Sequence, residues 1–111
     1  MNASALIEAG TCGFASTVLA VSDDDRTVRF DIQTECAKVA GYASALKRSG
    51  PIDMFEEINP TGTSIVLETA RNELKGCCAA CVVPAGLFKC MQVAAGLALP
   101  KEVRICLSKD Y

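Results

Sequence analysis

The stretch TVRFDIQTECAKVAGYASALKR, residues 27–48, changes its repeat in the middle. Up to Thr34 the period is two. Val28, Phe30 and Ile32 fall on one side, and Arg29, Asp31 and Gln33 on the other. That alternation predicts a strand with one apolar and one polar face. From residue 35 the spacing turns helical, with Cys36, Val39, Ala40, Ala43 and Leu46 on one stripe and Thr34 as the expected N-cap. A half-apolar strand that runs straight into an amphipathic helix has one simple solution. The helix folds back over the apolar face of the sheet.

The flanks extend this plan. ASALIEA, ending at Ala9, reads as a first strand, GTCG as a tight turn and STVLAV (residues 16–21) as a second strand. SDDD is a polar turn whose Asp side chains can hydrogen-bond their own backbone. The second and third strands therefore form an antiparallel hairpin. After the SGP stop, IDMFEEIN reads as a short helix with Glu56 and Glu57 on its surface. SIVLETARNELKG is a second full helix, capped by Thr63 or Ser64, with Val66, Leu67, Ala70 and Leu74 as its buried face. Pro84 suits the start of a last helix, where its missing N–H costs nothing. Leu87, Met91, Ala94, Ala95 and Ala98 then point inward, with Cys90 beside them. LPKEVRICLSKD alternates again, which predicts a closing strand with Val103, Ile105 and Leu107 on one face. The expected fold is α+β: an antiparallel or mixed sheet of three to four strands with helices packed on one face, in a single domain spanning residues 1–111.

Composition narrows the chemistry. The chain has no histidine, which removes His-based general acid–base catalysis, the serine triad and the Cys–His pair. A net charge of -2 without a basic patch gives nucleic-acid binding no support. Apolar runs are interrupted before the length of a membrane span, and the first residues lack the pattern of a signal peptide. With an odd cysteine count of 7, this predicts a cytoplasmic protein with reduced thiols.

Sulfur is then the main chemical resource. Cys12 sits between glycines in GTCGF, a tight turn whose exposed amides suit a thiolate or sulfide. Cys36 falls in the first turn of a helix, where the dipole and free N–H groups favour negative charge. Cys78 and Cys81 have the C-A-A-C spacing of a metal site or a redox pair, and Cys77 adds a third candidate. If the hairpin forms, Cys12 and Cys36 share one end of the sheet, and the KGCCAAC bend can bring further thiols to it. Cys90 and Cys106 read as structural, and Lys89 as a solvated helix residue. The aspartates of the SDDD turn lack the loop length and closing Glu of a calcium site.

The segment CGFASTVLAVSDDDRTVRFDIQTECAKVAGYASAL resembles the start of the iron–sulfur cluster assembly scaffold proteins. In that family a Cys-Gly turn precedes a β-hairpin, a second cysteine opens a helix rich in small residues, and a third follows a later helix. Cys12, Cys36 and one of Cys77 or Cys78 match those positions. Phe14 stands where the family usually has Asp, and Gly76 precedes Cys77 where the family has His near its third cysteine. The resemblance implies an antiparallel sheet covered by helices that holds a transient cluster or zinc.

The functional expectation is binding of a metal ion or iron–sulfur centre by Cys12, Cys36, Cys77, Cys78 and Cys81, as a scaffold or carrier rather than by turnover of an organic substrate. Partner proteins in cluster or sulfur transfer follow from it, and the size and apolar content are compatible with a homodimer. The alternatives are a thiol redox or persulfide carrier using Cys78 and Cys81, and an interaction module whose cysteines only pack.

Overall fold

The computed structural model describes residues 1–110. Three strands, β1 (Asn2–Glu8), β2 (Ala15–Val21) and β3 (Thr27–Thr34), form a meander, and the two-residue β4 (Ile52–Asp53) pairs with the start of β3. All pairings are antiparallel. The helices α1 (Ala37–Arg48), α2 (Met54–Ile58), α3 (Ile65–Glu73) and α4 (Val83–Ala94) complete a mixed α+β fold, with the helices on one face of the four-stranded sheet.

Register decides which face is covered. Ala5 lies opposite Val18, and Val18 opposite Ile32, on the inner side. Leu6, Thr17 and Gln33 share the open side. The inner row continues through Ile7, Ala20 and Val28, all buried. α1 lies over β3, α4 over β1 and β2, and α3 bridges the two helices. The contact between α4 and β1 is so close that a Cβ at Gly86 would stand 2.4 Å from Ile7 Cδ1. Only glycine allows that approach without moving Ile7.

The β2–β3 turn forms as its aspartates suggest. Asp24 Oδ1 accepts from the main-chain N–H groups of Arg26 at 3.0 Å and Thr27 at 2.7 Å. Asp25 takes a positive φ of 58°, a conformation that short polar residues tolerate best. The N–H groups of Thr27, then Arg26, hold the Asp24 carboxyl at about 2, below its ordinary 3.8. A depressed folded-state pKa stabilises the fold fully above the unfolded value and loses that contribution as pH falls toward the folded one. An Asp24→Asn chain is therefore expected to be less stable than the parent at neutral pH, and the two should converge as pH drops from about 4 to about 2. Urea midpoints measured across that window check this, and parallel curves would refute it.

Several sequence expectations are corrected. The N-cap of α1 is Cys36, not Thr34; Thr34 Oγ1 instead accepts the Cys36 N–H at 3.1 Å. The buried stripe of α1 is Val39, Tyr42 and Leu46, while Ala40 is exposed. Tyr42 enters the core because its hydroxyl has a partner, donating to the Val66 carbonyl at 2.8 Å. Ser64 caps α3, accepting from Leu67 N at 3.1 Å, and Leu67 faces solvent. Glu57 is not a surface residue: it is 4% exposed and its carboxylate holds the start of α3.

The largest correction lies at the C-terminal end. α4 stops where Gly96, at φ 79°, turns the chain, and Ala98 is exposed beyond it. The alternating segment that follows forms no strand; residues 99–110 have no regular structure and all are exposed. Period-two alternation describes a chain suited to a sheet, but a strand exists only when a neighbouring edge pairs with it. The molecule measures 48 × 28 × 27 Å, the long dimension of a body with an arm.

By length and composition alone, the stretch Gly76–Ala94 is long and apolar enough to cross a membrane. It is not one continuous helix: residues 79–82 lie between a short 3-10 turn (Gly76–Cys78) and α4. Within α4, Val83, Pro84, Leu87, Cys90, Met91 and Ala94 are buried, so much of its apolar character serves packing against the sheet.

A candidate thiol centre at one end of the sheet

The chain topology gathers the predicted site residues. The β1–β2 pairing ends at Glu8 opposite Ala15, and β3 ends with Thr34 opposite Ser16. The turn that carries Cys12 and the junction that carries Cys36 therefore lie at the same end of the sheet. α4 begins there as well. Gly86, near its start, touches Ile7 at the end of β1, and Gly96 touches Met1 at the beginning. The link between α3 and α4, with Cys77, Cys78 and Cys81, consequently arrives at that end.

Within this group the cysteines differ. Cys36 is half-buried at the N-cap of α1; its side chain makes no capping hydrogen bond, and the first turn of α1 has no acidic residue. Cys78 is half-buried in the 3-10 turn after α3. Cys77 stands next to it in the same turn, and it lies within electrostatic reach of Cys36 and Lys38. The Cys77 hydrogen bond, then loss of water contact, then charge on Cys77 and Cys36 push the Cys78 thiol up, while Lys38 opposes them. These are the causes expected where thiols lie near one another. A metal ion would reverse that balance, since coordination removes the thiol proton outright.

Cys81 is also half-buried, one short turn further on, where its N–H donates to the Cys78 carbonyl at 3.1 Å. It lies near Tyr42, whose hydroxyl is pushed well above its ordinary range, first by burial, then by Glu57 and Cys81. Cys12 is exposed at the hairpin tip, in a turn closed by Gly13 N–H to the Gly10 carbonyl at 2.9 Å. Gly13 has φ 76°, so the glycine after Cys12 is required by the turn geometry itself. Cys12 shares the end of the sheet with the others.

Among the described residues, no three Cys, Asp or Glu side chains already stand close enough to hold one metal ion. The donors are nevertheless of one chemical kind: thiols, the ligands of zinc and iron–sulfur centres. They sit on a hairpin tip, a helix start and a short 3-10 turn, which are connecting or end segments rather than element interiors. The donor chemistry fits such a centre, although these thiols do not converge on one point.

The chain belongs to a family of unknown function (DUF6951), whose model matches residues 3–107. No curated protein and no solved structure matches it. The family match runs from β1 through the hairpin, all four helices and the alternating part of the arm, so it includes all the cysteines described here.

Of the remaining cysteines, Cys90 is buried as expected, whereas Cys106 lies on no strand. Cys90 is 4% exposed; burial pushes its thiol up, and the Ala20 backbone in β2 partly offsets this. Cys106 is exposed in the arm. Lys89 is exposed on α4. The charged residue that sequence reasoning missed is Lys38. Its signal was a lysine two positions after the helix-opening cysteine.

Proposed function

We propose that this end of the molecule binds a metal ion or iron–sulfur centre through cysteine thiolates and holds it for partner proteins that supply or receive it. Cys36 and Cys78 are the central ligands, Cys77 is the alternate to Cys78, and Cys12 and Cys81 complete the set. What supports this reading is the chain topology, which brings the Cys12 turn, the Cys36 junction and the Cys77–Cys81 link to one end of the sheet, with Cys36, Cys78 and Cys81 half-buried. The resemblance of residues 12–46 to cluster assembly scaffolds supports the same reading. Lys38 stands where it offsets the negative charge of several thiolates.

Anaerobic incubation of the purified chain with zinc, and separately with ferrous iron and sulfide, tests it. After desalting, the expected result is retained metal near one centre per chain or per pair of chains, with visible absorption for the cluster. Bound metal should also raise the unfolding temperature. A colourless, metal-free protein whose stability is indifferent to both treatments would sink the proposal.

The adjacency of Cys77 and Cys78 in one short turn favours a second reading, a persulfide carrier in which a thiol holds one transferred sulfur atom. Intact-mass analysis after exposure to a persulfide donor distinguishes it. A reducible mass increase of one sulfur, lost in a Cys77→Ser, Cys78→Ser chain that still binds zinc, would favour the carrier over the metal site.

A further inference from the structure

β4 pairs only with Thr27 and Val28, so residues 29–34 of β3 have no strand on their outer side among the described residues. Beside this open edge runs a groove between β3 and α1. Phe30 and Ile32 line its sheet side, and Ala40, Ala43, Ser44 and Lys47 its helix side. The helix residues are small apart from Lys47, which leaves room for side chains of an added strand. An open main-chain edge beside a groove of mixed polar and apolar lining, with Phe30 and Ile32 in it, is an arrangement that accepts an extended peptide by strand addition. The opposite edge, β1, offers no such groove, because α4 packs directly on it at Gly86.

We propose that the groove is filled by the C-terminal arm of a second copy of this chain. The arm carries the apolar row that such a groove needs: Val103, Ile105 and Leu107, which are 57%, 67% and 92% exposed. Charge selects the direction. A parallel register with Ile105 opposite Ile32 puts Val103 against Phe30 and Leu107 against Thr34 on the inner side. On the outer side it sets Glu102 opposite Arg29 and Arg104 opposite Asp31, two complementary pairs. The antiparallel register with the same centre sets Glu102 opposite Glu35, a like-charge pair. In the free arm Arg104 contacts Glu102 at 3.5 Å, an exposed pair that strand addition can exchange at little cost.

A second copy fits better than the same molecule. The chain leaves α4 beside Met1, at the end of the sheet where β4 sits across the start of the β3 edge. Reciprocal exchange of two arms gives a closed, two-fold dimer and covers both apolar rows at once.

Sedimentation or light scattering on the full chain tests this, with an Ile105→Asp chain as the comparison. Residue 105 is exposed, so this variant keeps the monomer fold, which circular dichroism confirms. The parent is expected at twice the chain mass in the tens-of-micromolar range, and Ile105→Asp at half of that. A labelled peptide of residues 101–110 should bind the Ile105→Asp chain through its vacant groove. It should fail to bind when Ala43→Phe is added to fill the groove. A monomeric parent overturns the proposal, including one whose arm resists trypsin at Arg104 because it has docked on its own groove. A dimer that survives Ile105→Asp overturns it as well.

Discussion

A chain with Cys36→Ser and Cys78→Ser together is expected to lose zinc affinity by about four to six powers of ten. Structural zinc bound by four ligands contributes about 10–16 kcal/mol, so removing two thiolates takes away roughly half. Serine keeps the shape but is a poor ligand for a soft site. Both residues are half-buried rather than core, so the metal-free fold should change by only about 1 kcal/mol. Competition against a chromophoric chelator gives the affinity, and urea unfolding without metal gives the control. Cys106→Ser, in the exposed arm, should match the parent in both. If the double variant binds zinc as tightly as the parent, the ligands lie elsewhere and the proposed centre is wrong. A drop of less than tenfold would show that neither residue is a ligand.

The reason this pair stands out is only partly visible in the sequence. Alternation in residues 27–34 and the turn residues before them place the β2–β3 hairpin, and the structure has both. From that hairpin it follows that Cys12 and Cys36 share an end. Which of Cys77, Cys78 and Cys81 meets Cys36 depends on where α3 stops. Its periodic face runs through Leu74 toward the cysteines, suggesting a helix that continues. The helix ends at Glu73, and Gly76, at φ 67°, redirects the chain. A glycine within a helical pattern does not announce whether it breaks the helix, because tertiary contacts decide. The same limit explains Tyr42. The spacing points to small residues on the adjoining stripe, yet a single acceptor, the Val66 carbonyl, makes its burial favourable. The arm is the inverse case. Its local pattern is that of a strand, but pairing is a property of two segments and only one was being read.

Replacing Glu57 by alanine is expected to destabilise the fold by about 2–4 kcal/mol, a fall of roughly 10–20 °C in unfolding temperature. Glu57 Oε1 accepts from Ser64 Oγ at 2.8 Å and from Val66 N at 2.8 Å, and Oε2 accepts from Ile65 N at 2.7 Å. Those N–H groups belong to the first turn of α3 and have no partner within the helix. Ser64 is itself the N-cap, so Glu57 orients the residue that serves Leu67 N. A negative side chain at a helix start also opposes the exposed end of the dipole. Alanine removes all three acceptor contacts in a place where water has little access, since Glu57 is 4% exposed and Ser64 9%. Each donor left unpaired costs about 1–3 kcal/mol, reduced where the start of the helix can loosen toward solvent. Glu57→Gln retains one acceptor oxygen and should recover part of the loss. The consequence reaches α1, because Val66, in the turn that Glu57 fixes, is the residue whose carbonyl receives Tyr42. Urea unfolding of the three chains measures the series. A loss below about 1 kcal/mol for alanine would mean that Ser64 alone suffices to hold the helix.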